Sequence, residues 1–151
     1  MSLPKWAENG WLRAHRSSRE EMADLLAIVD RDLREAAHAE SPDWRFGIAY
    51  NAALKLCTML LHASGYRAEH SLQHYRTLGA LPLVLGAERE SDARFLDACR
   101  LKRNTIEYQR AGSATADEAA ELIALASALR GVVLAWLKRE HPELSPPAQA
   151  R

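Results

Sequence analysis

Residues 42–64 constrain the fold more than any other stretch, because the segment is apolar or small around nearly its whole circumference. Phe46, Ile48, Ala49, Ala52, Ala53, Leu56, Cys57, Met59 and Leu60 leave only a narrow polar stripe of Asn51, Lys55, Thr58 and His62. The stripe's spacing of i, i+4, i+7 and i+11 is helical at about 100° per residue. A helix apolar on most sides has to be surrounded by other elements. Ser41 supplies an N-cap, Pro42 suits the first helical position, and Gly65 suits the left-handed residue beyond the last turn. The polar stripe then either faces solvent through a gap between neighbours or lines a cleft.

The segments available to surround this helix are helical in period too. Ser17 or Ser18, followed by Glu20 and Glu21, opens a helix whose apolar positions include Met22, Leu25, Leu26, Val29 and Leu33. A shorter helix is predicted from about Ser71 to Leu81, ended by Pro82. The next starts near Ser91 and Asp92 and ends by Gly112. The last opens at Thr115, with Glu118 completing a capping box, carries Leu122, Ile123, Leu129, Val133, Trp136 and Leu137, and stops at Pro142. No strand-like alternation appears anywhere. Short joints make neighbouring helices antiparallel, so the expectation is an all-α, up-and-down antiparallel helical bundle of about five helices. Residues 1–16 read as an N-terminal arm docked through Trp6, Trp11 and Leu12, 17–142 as one bundle domain, and 143–151 as a flexible tail.

Composition narrows the function classes. At 151 residues the chain is one domain with room for a real core. Its 20 Lys and Arg balance 20 Asp and Glu, which argues against a strong general pull toward nucleic acid or anionic membrane. Locally the balance fails: between positions 100 and 110, Arg100, Lys102, Arg103 and Arg110 stand against Glu107 alone. Cys57 and Cys99 fall on apolar helix faces and read as small core residues of a reducing compartment. The N-terminus has no apolar signal core, and no run approaches the ~18 apolar residues of a membrane span. The expected location is the cytoplasm, with no membrane partner.

One cation is out of place. On the fourth long helix Phe95, Leu96, Cys99 and Ile106 share a stripe, and Arg103 lies inside it. A guanidinium there is costly unless it is paired or opens to a wet cleft. Glu107, one turn on, can pair with it, although Arg before Glu is the weaker order; snorkelling to solvent or to an acid on another helix is the bland alternative. Tyr108 is about 140° around the helix from Arg103, on a face with Leu101 and Asn104 that suits a partner helix at a two-fold interface. His70 and His74, beside Glu69, have metal-ligand spacing but no clear third ligand, so no metal site is expected. Glycine-rich phosphate loops, nucleophile elbows and Cys-x-x-Cys pairs are missing, and no cofactor is expected.

The run Arg103-Asn104-Thr105-Ile106-Glu107-Tyr108 resembles the Arg-Asn-x-x-x-His signature of HEPN domains, small helical proteins that include RNA-cleaving toxins and partners of small nucleotidyltransferases. Ala63-Ser64-Gly65-Tyr66-Arg67 and His74-Tyr75-Arg76-Thr77-Leu78, in that order before Lys102-Arg103-Asn104, resemble a bacterial branch of the group over about Trp11 to Leu137. The resemblance implies a dimerising bundle with the motif at a cleft between subunits. It makes Arg103, Asn104 and Tyr108 the catalytic-motif equivalents, with Lys55, Lys102 and His74 as further ligand-binding candidates. In the family's nucleases His moves a proton and Arg stabilises charge on phosphate. Here Tyr108 replaces that His, and a phenol is a reluctant general base near neutral pH. The expectation is an accessory or binding module, a homodimer with a basic cleft for RNA, a nucleotide or a protein such as a small nucleotidyltransferase, rather than an enzyme. The alternatives are a metal-independent endoribonuclease using a displaced His62, His70 or His74, and a purely structural bundle.

Overall fold

In chain order the elements are α1 (Leu3–Glu8), β1 (Leu12–Ala14), α2 (Arg19–His38), α3 (Pro42–Ala63), β2 (Tyr66–Ala68), α4 (Gln73–Gly79), α5 (Leu81–Leu85), α6 (Glu90–Tyr108) and α7 (Ala116–Glu140). They come from a computed structural model that describes residues 1–147. The long helices begin where capping chemistry directs. The Ser18 hydroxyl accepts from the Glu21 amide at α2, and Ser41 does the same for Trp44 at α3. Thr115 and Glu118 close a full capping box on α7. Each such cap satisfies an amide the first turn leaves unpaired, a contribution of about 1 kcal/mol. Gly65 takes φ +97° after α3, a backbone angle other residues adopt only under strain.

The helix with the apolar circumference is the central one. It packs along α2 and α7 and is closed on its remaining sides by α4, α5 and α6. Tyr50, Leu56, Met59 and Leu60 of α3 are fully buried against Met22 and Val29 of α2, Leu96 of α6, and Leu122, Leu129 and Leu137 of α7. Cys57 and Cys99 are free thiols within this core, and burial pushes both up to about 12.

Several boundaries differ from expectation. The single helix predicted over 71–81 is two short ones. Leu72 adopts φ 56° and delays the start of α4 to Gln73. Pro82 does not end a helix; it sits in the first turn of α5, where its missing N–H costs nothing. A strand pair also exists. β1 and β2 run antiparallel with Leu12 opposite Ala68, Arg13 opposite Arg67 and Ala14 opposite Tyr66. Three residues per strand are too few for alternation to register in sequence. The pair holds the N-terminal arm to the end of α3, with Leu12, Leu61, Ala68 and Ala80 as a small second core. The predicted tail begins inside a 3-10 turn, Pro142–Leu144, and 148–151 lies outside the described residues.

Helix α7 needs a further correction. By length and composition alone it is long and apolar enough to cross a membrane. Small outward residues such as Ala120, Ala124, Ala128 and Ala135 raise its mean hydropathy without the long apolar side chains that catch the eye. Its inner stripe lies on α3, and Arg130 pairs with Asp30 of α2 at 2.6 Å.

Candidate functional site

Arg103 reaches from α6 toward the central helix. Its guanidinium meets Glu107 Oε1 at 3.1 Å and stands 5.6 Å from the centroid of the buried Tyr50 ring. The side chain is 28% exposed, so it neither snorkels fully to water nor finds an acid on another helix. An i,i+4 pair on a helix surface contributes only about 0.2–0.5 kcal/mol, too little to explain this placement alone. Arg103 Nε and the Tyr50 hydroxyl, both buried, have no hydrogen-bond partner among the described residues. Burial raises the Tyr50 pKa, against the pull of the nearby Arg103 charge.

Arg103 and Glu107 border a cleft of about 530 Å³ between α3 and α6. Trp44, Ile48 and Ile106 give it apolar walls, and Asp32, Asn51, Arg103 and Glu107 give it polar ones. Trp44 is 70% exposed, an unusual state for a large aromatic ring. Asp32 of α2 is only 3% exposed. Its Oδ1 accepts from Arg31 Nε and Nη2 at 3.0 and 2.9 Å, and its Oδ2 accepts from Asn51 Nδ2 at 2.6 Å. Those bonds hold a carboxylate that burial alone would penalise.

Arg103 links the cleft to a group of other basic side chains. His74 of α4 has its pKa lowered by burial first, and then by the charges of Arg103, Lys55 and Arg100. Three basic side chains, from α3 and α6, therefore have charges that reach His74 on α4. Arg100 is tied to Asp97 at 2.8 Å. The polar stripe of α3 is half-buried throughout and leads away from this region: Asn51 faces Asp32, Lys55 acts on His74, Thr58 Oγ1 donates back to Leu54 O, and His62 at the far end lies near Glu21.

The structure brings Arg103, Lys55 and His74 together and separates the other candidates. Lys102 turns to α7, where its ammonium meets Glu118 at 3.0 Å. Asn104 and Tyr108 face outward, Tyr108 with 77% of its surface exposed. Their direction follows from the angular offset along α6. His70 precedes α4 and His74 lies within it, so the two do not share a helix face. Of the histidines considered as a displaced base, His74 has Arg103 among its acting charges, whereas His62 packs against His15.

Sequence reading missed three contributors. Asp32 lies three residues after Val29 within the inner stripe of α2, a signal comparable to that of Arg103. Asp43 accepts from the amides of Gly112 at 2.6 Å and Ala114 at 3.1 Å, fixing the α6–α7 joint beside the cleft. That contact joins positions about 70 apart and has no local signature. Trp44 was readable as apolar, but not as exposed.

No protein-family model matches the chain, and no curated protein or solved structure matches it either. The fold and site define a class, an all-α antiparallel bundle with a mixed-charge cleft beside its central helix.

Proposed function

We propose that this protein is a HEPN-like binding module that holds single-stranded RNA, or a nucleotide, by its phosphate at the cleft between α3 and α6. The observation that carries this reading is Arg103: a half-buried guanidinium over a buried ring, with an unpartnered Nε, beside Lys55, His74 and Arg100. A planar guanidinium suits phosphate recognition, and exposed Trp44 suits base stacking, a sequence-tolerant contact. The neutral net charge confines attraction to this region. The buried free thiols fit a reducing compartment, and the reading includes a cytoplasmic location.

The direct test incubates a short labelled single-stranded RNA with wild type and Arg103→Ala, without metal, and follows both binding and integrity. Wild type is expected to bind and leave the RNA intact, because Tyr108 points away from Arg103. A second reading, a metal-independent ribonuclease, draws on His74, whose lowered pKa leaves a neutral imidazole near Arg103 at pH 7. Chelator-insensitive cleavage lost in both Arg103→Ala and His74→Ala would establish that reading and overturn the first.

The proposal includes a homodimer closed by a second copy across the outer face of α6. Leu101, 54% exposed, and Tyr108 lie two turns apart there with Asn104 between them. Leu101 also borders a cleft of about 920 Å³ whose walls include Trp6, Trp11, Tyr75 and Leu83. Light scattering at roughly 50 µM, where a specific interface holds, is expected to give a dimer. The double variant Leu101→Glu, Tyr108→Glu is expected to give a folded monomer. Monomeric wild type at that concentration rules the interface out.

A further inference from the structure

The arm and the far end of α3 carry a second cluster, separate from the cleft. His15 follows β1, Glu21 lies in the first turn of α2, and His62 lies in the last turn of α3. Glu21 Oε2 is 2.9 Å from His15 Nε2 and 3.4 Å from His62 Nδ1. The two imidazole rings are in contact, with centroids 4.1 Å apart. We infer that His15, Glu21 and His62 form a binding site for a divalent transition-metal ion, with Zn²⁺ the best chemical fit and a fourth position open to solvent.

Three observations carry this. The first is geometric: one donor atom from each residue falls within 4.8 Å of the others. Tetrahedral zinc with ligands at ~2.0–2.1 Å spaces its donors about 3.3 Å apart, so small side-chain adjustments bring these three into place. The second is an unmet polar group. An ordinary His–Glu ion pair accounts for His15, whose Nε2 lies 3.0 and 2.9 Å from the two Glu21 oxygens. It leaves His62 Nδ1, a buried atom 3.4 Å from Glu21 Oε2, without a hydrogen bond among the described residues. The third is support for the carboxylate. Ser17 Oγ donates to Glu21 Oε1 at 2.7 Å, the kind of outer contact that orients a metal ligand.

The frame around the cluster is rigid. The His15 amide donates to Gly65 O at 2.9 Å, and the β1–β2 ladder fixes the arm beside the end of α3. All three side chains remain partly exposed, which leaves an entry path. Two nitrogens and one oxygen favour zinc over calcium or magnesium, which prefer all-oxygen shells.

The experiment titrates metal-free wild type with Zn²⁺ by calorimetry, and with Co²⁺ as a spectroscopic probe. One equivalent is expected to bind, and Co²⁺ is expected to broaden the ring resonances of His15 and His62 before those of the other four histidines. His15→Ala and Glu21→Gln, checked for folding by circular dichroism, are each expected to lose at least tenfold in Zn²⁺ affinity, while His70→Ala retains it. The Co²⁺ readout needs no variant and stands even if a substitution disturbs folding. Absence of saturable Zn²⁺ binding, or Co²⁺ broadening centred on other histidines, overturns the site. So does undiminished affinity in the folded His15→Ala variant.

Discussion

Replacing Arg103 by alanine is expected to weaken binding of a short single-stranded RNA by about 10–100-fold, the loss of charge-assisted hydrogen bonds of ~1.5–3 kcal/mol. Because the guanidinium is half-buried above Tyr50, solvent screens it less than a surface cation. Arg103→Lys is expected to recover only part of the affinity, since a point charge replaces a planar fork. The salt dependence gives an independent reading. Each phosphate neutralised contributes about −0.7 to the slope of log K against log salt for single strands, so Arg103→Ala should flatten that slope by about one such contribution. Fluorescence anisotropy at several salt concentrations measures both. Equal affinity and slope in wild type and Arg103→Ala would remove the cleft from RNA recognition.

The second large effect is on stability. Leu56 faces the core at 0% exposure from the middle of α3. Leu56→Ala removes three carbons from a site ringed by other helices, and large-to-small changes of this kind cost about 2–5 kcal/mol. For a domain of this size each kcal/mol lowers Tm by roughly 2–4 °C. Leu101→Ala provides the contrast: the chemistry is identical, but a side chain more than half exposed should cost under about 0.5 kcal/mol in the monomer. Urea denaturation of both variants checks the pair. Similar losses at the two positions would contradict a central α3.

Central placement of α3 was legible because its apolar circumference leaves no other solution, and the capping residues at Ser18, Ser41 and Thr115 mark local events. The places where sequence misled depend on distant contacts or on backbone geometry. Pro82 carries the same signal whether it ends one helix or starts the next, and the left-handed Leu72 is not a residue type that announces that conformation. At the cleft, Arg103 was visible as a cation in an apolar stripe. Its neighbours Lys55 and His74 join it only because α3, α4 and α6 meet there. The His15–Glu21–His62 cluster spans 47 positions and exists only once β1 has paired with β2.

The Arg103–Glu107 pair has a consequence for selectivity. A carboxylate tethered one turn away is a resident competitor, held within reach of the guanidinium without having to be captured from solution. Chloride or acetate arriving at the guanidinium would exchange one weak partner for another and gain almost nothing. A phosphate group brings more charge and a larger set of acceptor oxygens, and so can outbid the tether. If Arg103 binds phosphate as proposed, Glu107 would act as a threshold that favours anions of high charge density over weaker ones.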